Sequence, residues 1–265
     1  MKTVKVALSS GGRESIAMVK VIEDEFGKDF FDVKLHAKTG DDPLGFETCE
    51  YLNKHFGWNI QYCESKYGNI REYYANKLVD NGDGFIGHAL PSQANKDCSD
   101  KFKIIPETKW LLERFGTDVI YELYFGFSDN KKDKDRADRM SRILSKKVKI
   151  KQVPKFPLIE KHIDRQKAGE ICLSFMGFVP EPTKCLMCFE RTIQDWKDDY
   201  KKMPNAINQV IEFEESSKLF KKYGYGLSSK PIKKILRLPD EHQQTLDIKP
   251  CPCVESFDME ICLVE

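Results

Sequence analysis

No stretch of this 265-residue chain is apolar for long enough to span a bilayer, and neither sign of charge predominates. Lys and Arg number 43 against 42 Asp and Glu, a net charge of +1, so there is no global electrostatic case for nucleic acid or for a membrane surface. Internal repeats and low-complexity segments are missing, which sets aside solenoids and linker-rich chains. There is no G-x-x-x-x-G-K-(S/T), so a Walker-type phosphate loop is excluded. A strand-like run stands almost at the start, so neither signal peptide nor anchor is expected, and the expected setting is the cytoplasm.

The informative residues are Ser9, Ser10, Gly11, Gly12, Arg13, Glu14 and Ser15. They follow an apolar run at 4–8 that reads as a buried strand and precede a helical pattern at 16–22. A strand feeding a Gly/Ser turn into a helix start aims unpaired N–H groups and a positive dipole end at one point. Gly11 and Gly12 let the backbone approach an anion, three serines add hydroxyls and Arg13 adds charge. The segment reads as a phosphate cradle. Its pattern, S-G-G-x-(D/E)-S, resembles the PP-loop of the adenine nucleotide α-hydrolase superfamily, with Glu14 where Asp is usual. That resemblance implies binding of ATP and cleavage between its α and β phosphates.

Strand-like and helical runs alternate over the first two-thirds of the chain, which implies parallel βαβ units. Strands are expected at 31–37, 59–63, 119–127 and 149–153, and helices at 46–56 and 70–78. The charged run 130–142 is expected to be a loop entering a helix, and 206–223 a single helix. The predicted fold is a doubly wound, mostly parallel α/β/α sandwich, Rossmann-like, with a helical, cysteine-bearing C-terminal region. A nucleotide-binding domain over 1–165 and a helical region over 166–265 are expected.

Ligands in such sheets bind beyond the C-terminal strand ends. Thr39, Gly40 and Asp42 stand at one end and resemble the T-G-x-(D/E) element of sulfonucleotide reductases; Gly126, with Arg136 following, stands at another. Of nine cysteines, Cys49, Cys63 and Cys172 read as small core residues. Cys98, with Lys103 and Pro106, resembles the C-x-x-x-x-K-x-x-P segment of the phosphoadenylylsulfate reductase family. Asp97 stands where cluster-binding relatives carry a second cysteine. Cys185 and Cys188, flanked by Pro180, Pro182, Phe189 and Trp196, resemble that family's C-x-x-C segment. The resemblance runs in order over most of the chain, from 4 to 215.

The resemblance implies a site of Cys98, Cys185 and Cys188, suited to a [4Fe-4S] cluster with one iron open or completed by a tail cysteine such as Cys262. Zinc held by Cys185, Cys188, Cys251 and Cys253 is the alternative. Lys103, Arg13 and Cys262 are the candidate catalytic residues. One expectation is an enzyme that activates an acceptor with ATP and Mg²⁺, releases pyrophosphate and then handles sulfur. A second is a sulfonucleotide reductase acting on PAPS or APS through a cysteine thiol. A third is a nucleotide-binding or sensing protein without catalysis. The acceptor stays open between tRNA, DNA and a small molecule, and a sulfur-donor or reductant protein is an expected partner. The pairs Lys131-Lys132, Lys146-Lys147 and Lys221-Lys222 could contact nucleic-acid phosphates, but each taken singly reads as ordinary solvated surface charge.

Overall fold

A computed structural model describes residues 1–80, 84–92, 97–145, 150–181, 183–224, 226–228 and 230–237. Five strands, β1 (Lys2–Leu8), β2 (Val33–Lys38), β3 (Gln61–Glu64), β6 (Val119–Phe125) and β7 (Lys151–Lys155), form one sheet in the order β3-β2-β1-β6-β7. Every pairing in it is parallel. The order reverses between β1 and β6, so a crevice opens beyond the C-terminal ends of those two strands. This is the α/β architecture the sequence predicts.

Both sheet faces are covered, as parallel sheets require. On one face α1 (Arg13–Phe26), α2 (Pro43–Phe56), α6 (Pro157–Glu160) and α7 (Arg165–Met176) enclose a core around Ile16, Met18, Leu52, Leu158 and Cys172. On the other, α4 (Ile105–Phe115) and α5 (Lys131–Ser145) close over Val4, Val6, Leu35, Tyr121 and Leu123. Cys49, Cys63 and Cys172 are buried in these cores, as expected of small apolar side chains.

A third core surrounds the fully buried Trp196. It gathers α3 (Ile70–Asn76), the short hairpin β4 (Leu78–Asp80)–β5 (Ile86–His88), α8 (Ile193–Lys202), α9 (Pro204–Ser216) and α11 (Ile232–Ile235). Its members thus come from both sides of position 165, while α7 packs on α1. Glu214 is buried here and accepts the N–H groups of Leu227 and Ile232 at 2.8 and 3.0 Å, which ties the chain beyond α9 to this core.

Several expectations need correction. The run from Lys131 is helix throughout, because Ala137 and Leu144 bury one side of an otherwise exposed element. The helix expected over 206–223 breaks at Ser217, whose side chain caps α10 (Lys218–Tyr223) by accepting the Phe220 N–H. The β4–β5 hairpin and a π-helical turn at Asp100–Ile104 had no sequence signal. Among the described residues no helix is long and apolar enough to cross a membrane.

Candidate active site

The cradle is built from β1 into α1. Its helix begins after Gly12 with no side-chain cap, so the first-turn N–H groups face the loop rather than a capping oxygen. Ser15 closes the loop on itself: its hydroxyl donates to the Gly12 carbonyl at 2.9 Å and accepts from the Ser10 N–H at 3.2 Å. Gly11 has φ +74°, and a Cβ there would come within 2.2 Å of the Gly45 carbonyl oxygen. Only glycine fits both demands. Gly126, at the end of β6, lies so close that a Cβ on it would meet the Ser15 backbone at 2.6 Å. Its role is to let β6 and α1 touch.

Beneath the loop, His36 on β2 is buried and its Nδ1 lies 2.8 Å from the Ser9 carbonyl. Burial lowers its pKa, so the ring is neutral near pH 7; a carbonyl can only accept, so Nδ1 carries the proton. Glu14 is paired with Arg165 of α7 at 3.1 Å. Arg13 lies along the same helix, with Gly169 beside its guanidinium and the Cys172 thiol on its carbonyl. Its Nε is buried without a partner among the described residues. Arg136 pairs with Asp133 at 2.9 Å and stacks over Phe127.

The end of β2 meets the C-x-x-C turn. Thr39 Oγ1 lies 3.6 Å from Cys185 Sγ, across 146 positions of sequence. Asp41, beside the expected Asp42, is the anchor: its carbonyl accepts the Leu186 N–H at 2.7 Å and its carboxylate the Met187 N–H at 2.8 Å. Arg71 reaches the same carboxylate at 3.3 Å. Burial lifts Asp41 to about 6 against these donors. Asp42 is used locally, capping α2 through the Gly45 N–H. Gly40 turns at φ +69° against Asn69. From behind the turn, the buried Arg191 donates to the carbonyls of Cys185 and Lys184 at 3.0 and 2.8 Å and pairs with Asp199. Asp41 lay in the strand-end segment 39–42 without being singled out, whereas Arg71 and Arg191 escaped the sequence reading; the single signal for the latter was an Arg three residues after Cys188.

Cys98 arrives on the third side. The preceding Asp97 accepts from Tyr73 (2.6 Å), Tyr74 (2.9 Å) and Lys77 (2.9 Å), with Lys101 at 3.1 Å. Burial alone would raise its pKa, but these donors outweigh burial and hold it well below the usual carboxylate range. Asp97 is thus a structural carboxylate that ties α3 and Lys77 to the segment carrying Cys98. Lys103 sits on the π-helical turn, a distortion that recurs at functional sites. Its pKa is raised, by Cys185 first and then by Asp42, Glu107 and Cys188. Burial raises Glu107 to about 7, opposed by Lys103.

Cys98 and Cys185 both pack against the core around Trp196, and the Cys188 N–H donates to the Cys185 carbonyl at 3.0 Å, so the three cysteines border one region. Soft thiols flanked by Lys103 and Arg191 fit, in kind, a thiolate-bound metal group of net negative charge. Among the described residues, no three Cys, His, Asp or Glu stand as a ready ligand set. Burial pushes the Cys185 thiol up to about 12, so metal binding there must release protons. Cys251, Cys253 and Cys262 lie outside the described residues, as do Pro182 and the pair Lys146-Lys147.

No family model matches the sequence, and no curated protein matches it. Among solved structures, the U34-tRNA thiolase NcsA from Methanococcus maripaludis with its [4Fe-4S] cluster aligns at 17% identity and a TM-score of 0.43. The alignment covers 91% of this chain and 82% of that one. Likeness at that level leaves the chemistry to be read from this chain's own residues.

Proposed function

We propose that this chain is a PP-loop enzyme of the phosphoadenylylsulfate reductase-like kind, which binds ATP at 9–15 and handles sulfur at Cys98, Cys185 and Cys188. The observation that carries this reading is the apposition of the two motifs. Thr183, two residues before Cys185, sits against Gly12 of the loop, and Thr39 sits against Cys185. A phosphate site and a thiol site therefore share one edge of the sheet.

In this reading the first-turn N–H groups of α1 and the Ser10 hydroxyl hold the phosphates, with Mg²⁺ as counter-ion. An acceptor oxygen attacks the α-phosphorus; the new P–O bond forms as the α–β bridging bond breaks, and pyrophosphate leaves with the electron pair. Hydrosulfide then attacks the activated carbon, the C–O bond to AMP breaks, and the S–H proton passes to solvent. Neither step changes an oxidation state, so no reductant is consumed. Lys103 attracts and orients anionic groups between the loop and the thiols. A [4Fe-4S] cluster bound by the three cysteines would supply Lewis-acidic iron with affinity for sulfide. Zinc is the alternative occupant.

Anaerobic purification followed by iron, labile-sulfide and zinc analysis, together with pyrophosphate–ATP exchange, tests the reading. Iron with sulfide, and exchange that needs an acceptor, support it. A colourless zinc protein without exchange removes the cluster and the activation step together.

A further inference from the structure

Thr183 is the residue of the cysteine turn that stands over the phosphate loop. A Cβ placed on Gly12 would lie 2.8 Å from Thr183 Oγ1 and 3.4 Å from Ser10 Oγ. The Thr183 hydroxyl is thus at the uncapped start of α1, on the side of the loop to which Ser10 also turns. Thr183 is half-buried, and among the described residues its hydroxyl has no hydrogen-bond partner, whereas Ser10 and Ser15 bind each other at 3.3 Å. A hydroxyl held at a helix start without a partner is a donor in waiting for an anion.

Its position is fixed from the other side. Arg191 holds the carbonyls of Lys184 and Cys185, and Asp41 holds the N–H groups of Leu186 and Met187. Thr183 therefore cannot shift without moving the turn that carries both cysteines.

We propose that Thr183 donates directly to the anionic group bound at 9–15, making the cysteine turn one wall of the phosphate site. This deepens the nucleotide reading above and rests on it. Phosphate binding then draws on the same turn that presents Cys185 and Cys188, so occupancy of the loop steadies the thiols.

The test titrates the full-length chain with ATP and with inorganic pyrophosphate by calorimetry, using Thr183→Val and Thr183→Ser. Valine keeps the shape against Gly12 and removes the donor; serine keeps the donor. Loss of a hydrogen bond to a charged group predicts roughly tenfold or greater weakening for both ligands in Thr183→Val, and near-normal binding in Thr183→Ser. Equal affinity in Thr183→Val and the unaltered chain overturns the assignment while leaving the nucleotide reading standing. No binding by the unaltered chain removes the nucleotide reading itself. A second measurement needs no variant: pyrophosphate should slow alkylation of Cys185, followed by mass spectrometry, and unchanged labelling in a chain that binds pyrophosphate overturns the coupling.

Discussion

The Met187 N–H donates to Asp41 Oδ2 at 2.8 Å, so a residue between the two cysteines of the C-x-x-C turn hangs from the end of β2. The same carboxylate receives Arg71, and its side chain is only 2% exposed.

Asp41→Ala leaves the Met187 N–H without its acceptor and Arg71 with only Gln209, at 3.0 Å. A loss of about 2–4 kcal/mol is expected in denaturant unfolding, with faster alkylation of Cys185 and Cys188 in the native state. Asp41→Asn keeps one acceptor oxygen and should fall between. Unchanged alkylation in Asp41→Ala would show that Arg191 and the Asp41 backbone carbonyl hold the turn without the carboxylate.

Gly11→Ala demands a left-handed residue with a Cβ 2.2 Å from the Gly45 carbonyl. The strained φ alone costs roughly 1–2 kcal/mol, and the clash adds to it by displacing α2 from the loop. Stability and nucleotide affinity should drop together. Gly57→Ala, also left-handed but with open space around it, should lose stability only.

Asp97 makes acid stability diagnostic. Its folded pKa lies below the ordinary 3.8, so its contribution is complete above that value and drains away as pH falls through the depressed one. Urea midpoints measured from pH 6 down to pH 2 should show this loss in the unaltered chain. Asp97→Asn should be less stable at pH 6 and should show a shallower fall.

Cys185, pushed up to about 12, should be slow to alkylate at pH 8 in the folded, metal-free chain and quick in urea. Zinc titrated into weakly buffered protein should release protons, and Cys185→Ser should release fewer. Proton release unchanged in Cys185→Ser would take this thiol out of the metal site.

The local parts of the site were legible because local rules write them. The loop needs glycine at a left-handed position and an uncapped helix start, and both show as Ser-Gly-Gly after an apolar run. The π-helical turn at Lys103 was not legible, since no residue pattern separates it from an ordinary helix start. The same holds for Asp97: its role depends on Tyr73, Tyr74 and Lys77, which a reading of 97–106 does not include.

The sequence by itself determined the alternation of buried strands and amphipathic helices, hence a parallel sheet, and it determined the Ser-Gly-Gly turn from β1 into α1. Tertiary structure alone decided the strand order β3-β2-β1-β6-β7 and what stands over the loop. Thr39 and Cys185 lie 146 positions apart, and nothing local links them. Their meeting depends on buried groups satisfied across the fold, Asp41 to Met187 and Arg191 to Cys185. A pairing of that kind is set by desolvation and geometry, not by neighbours in the chain.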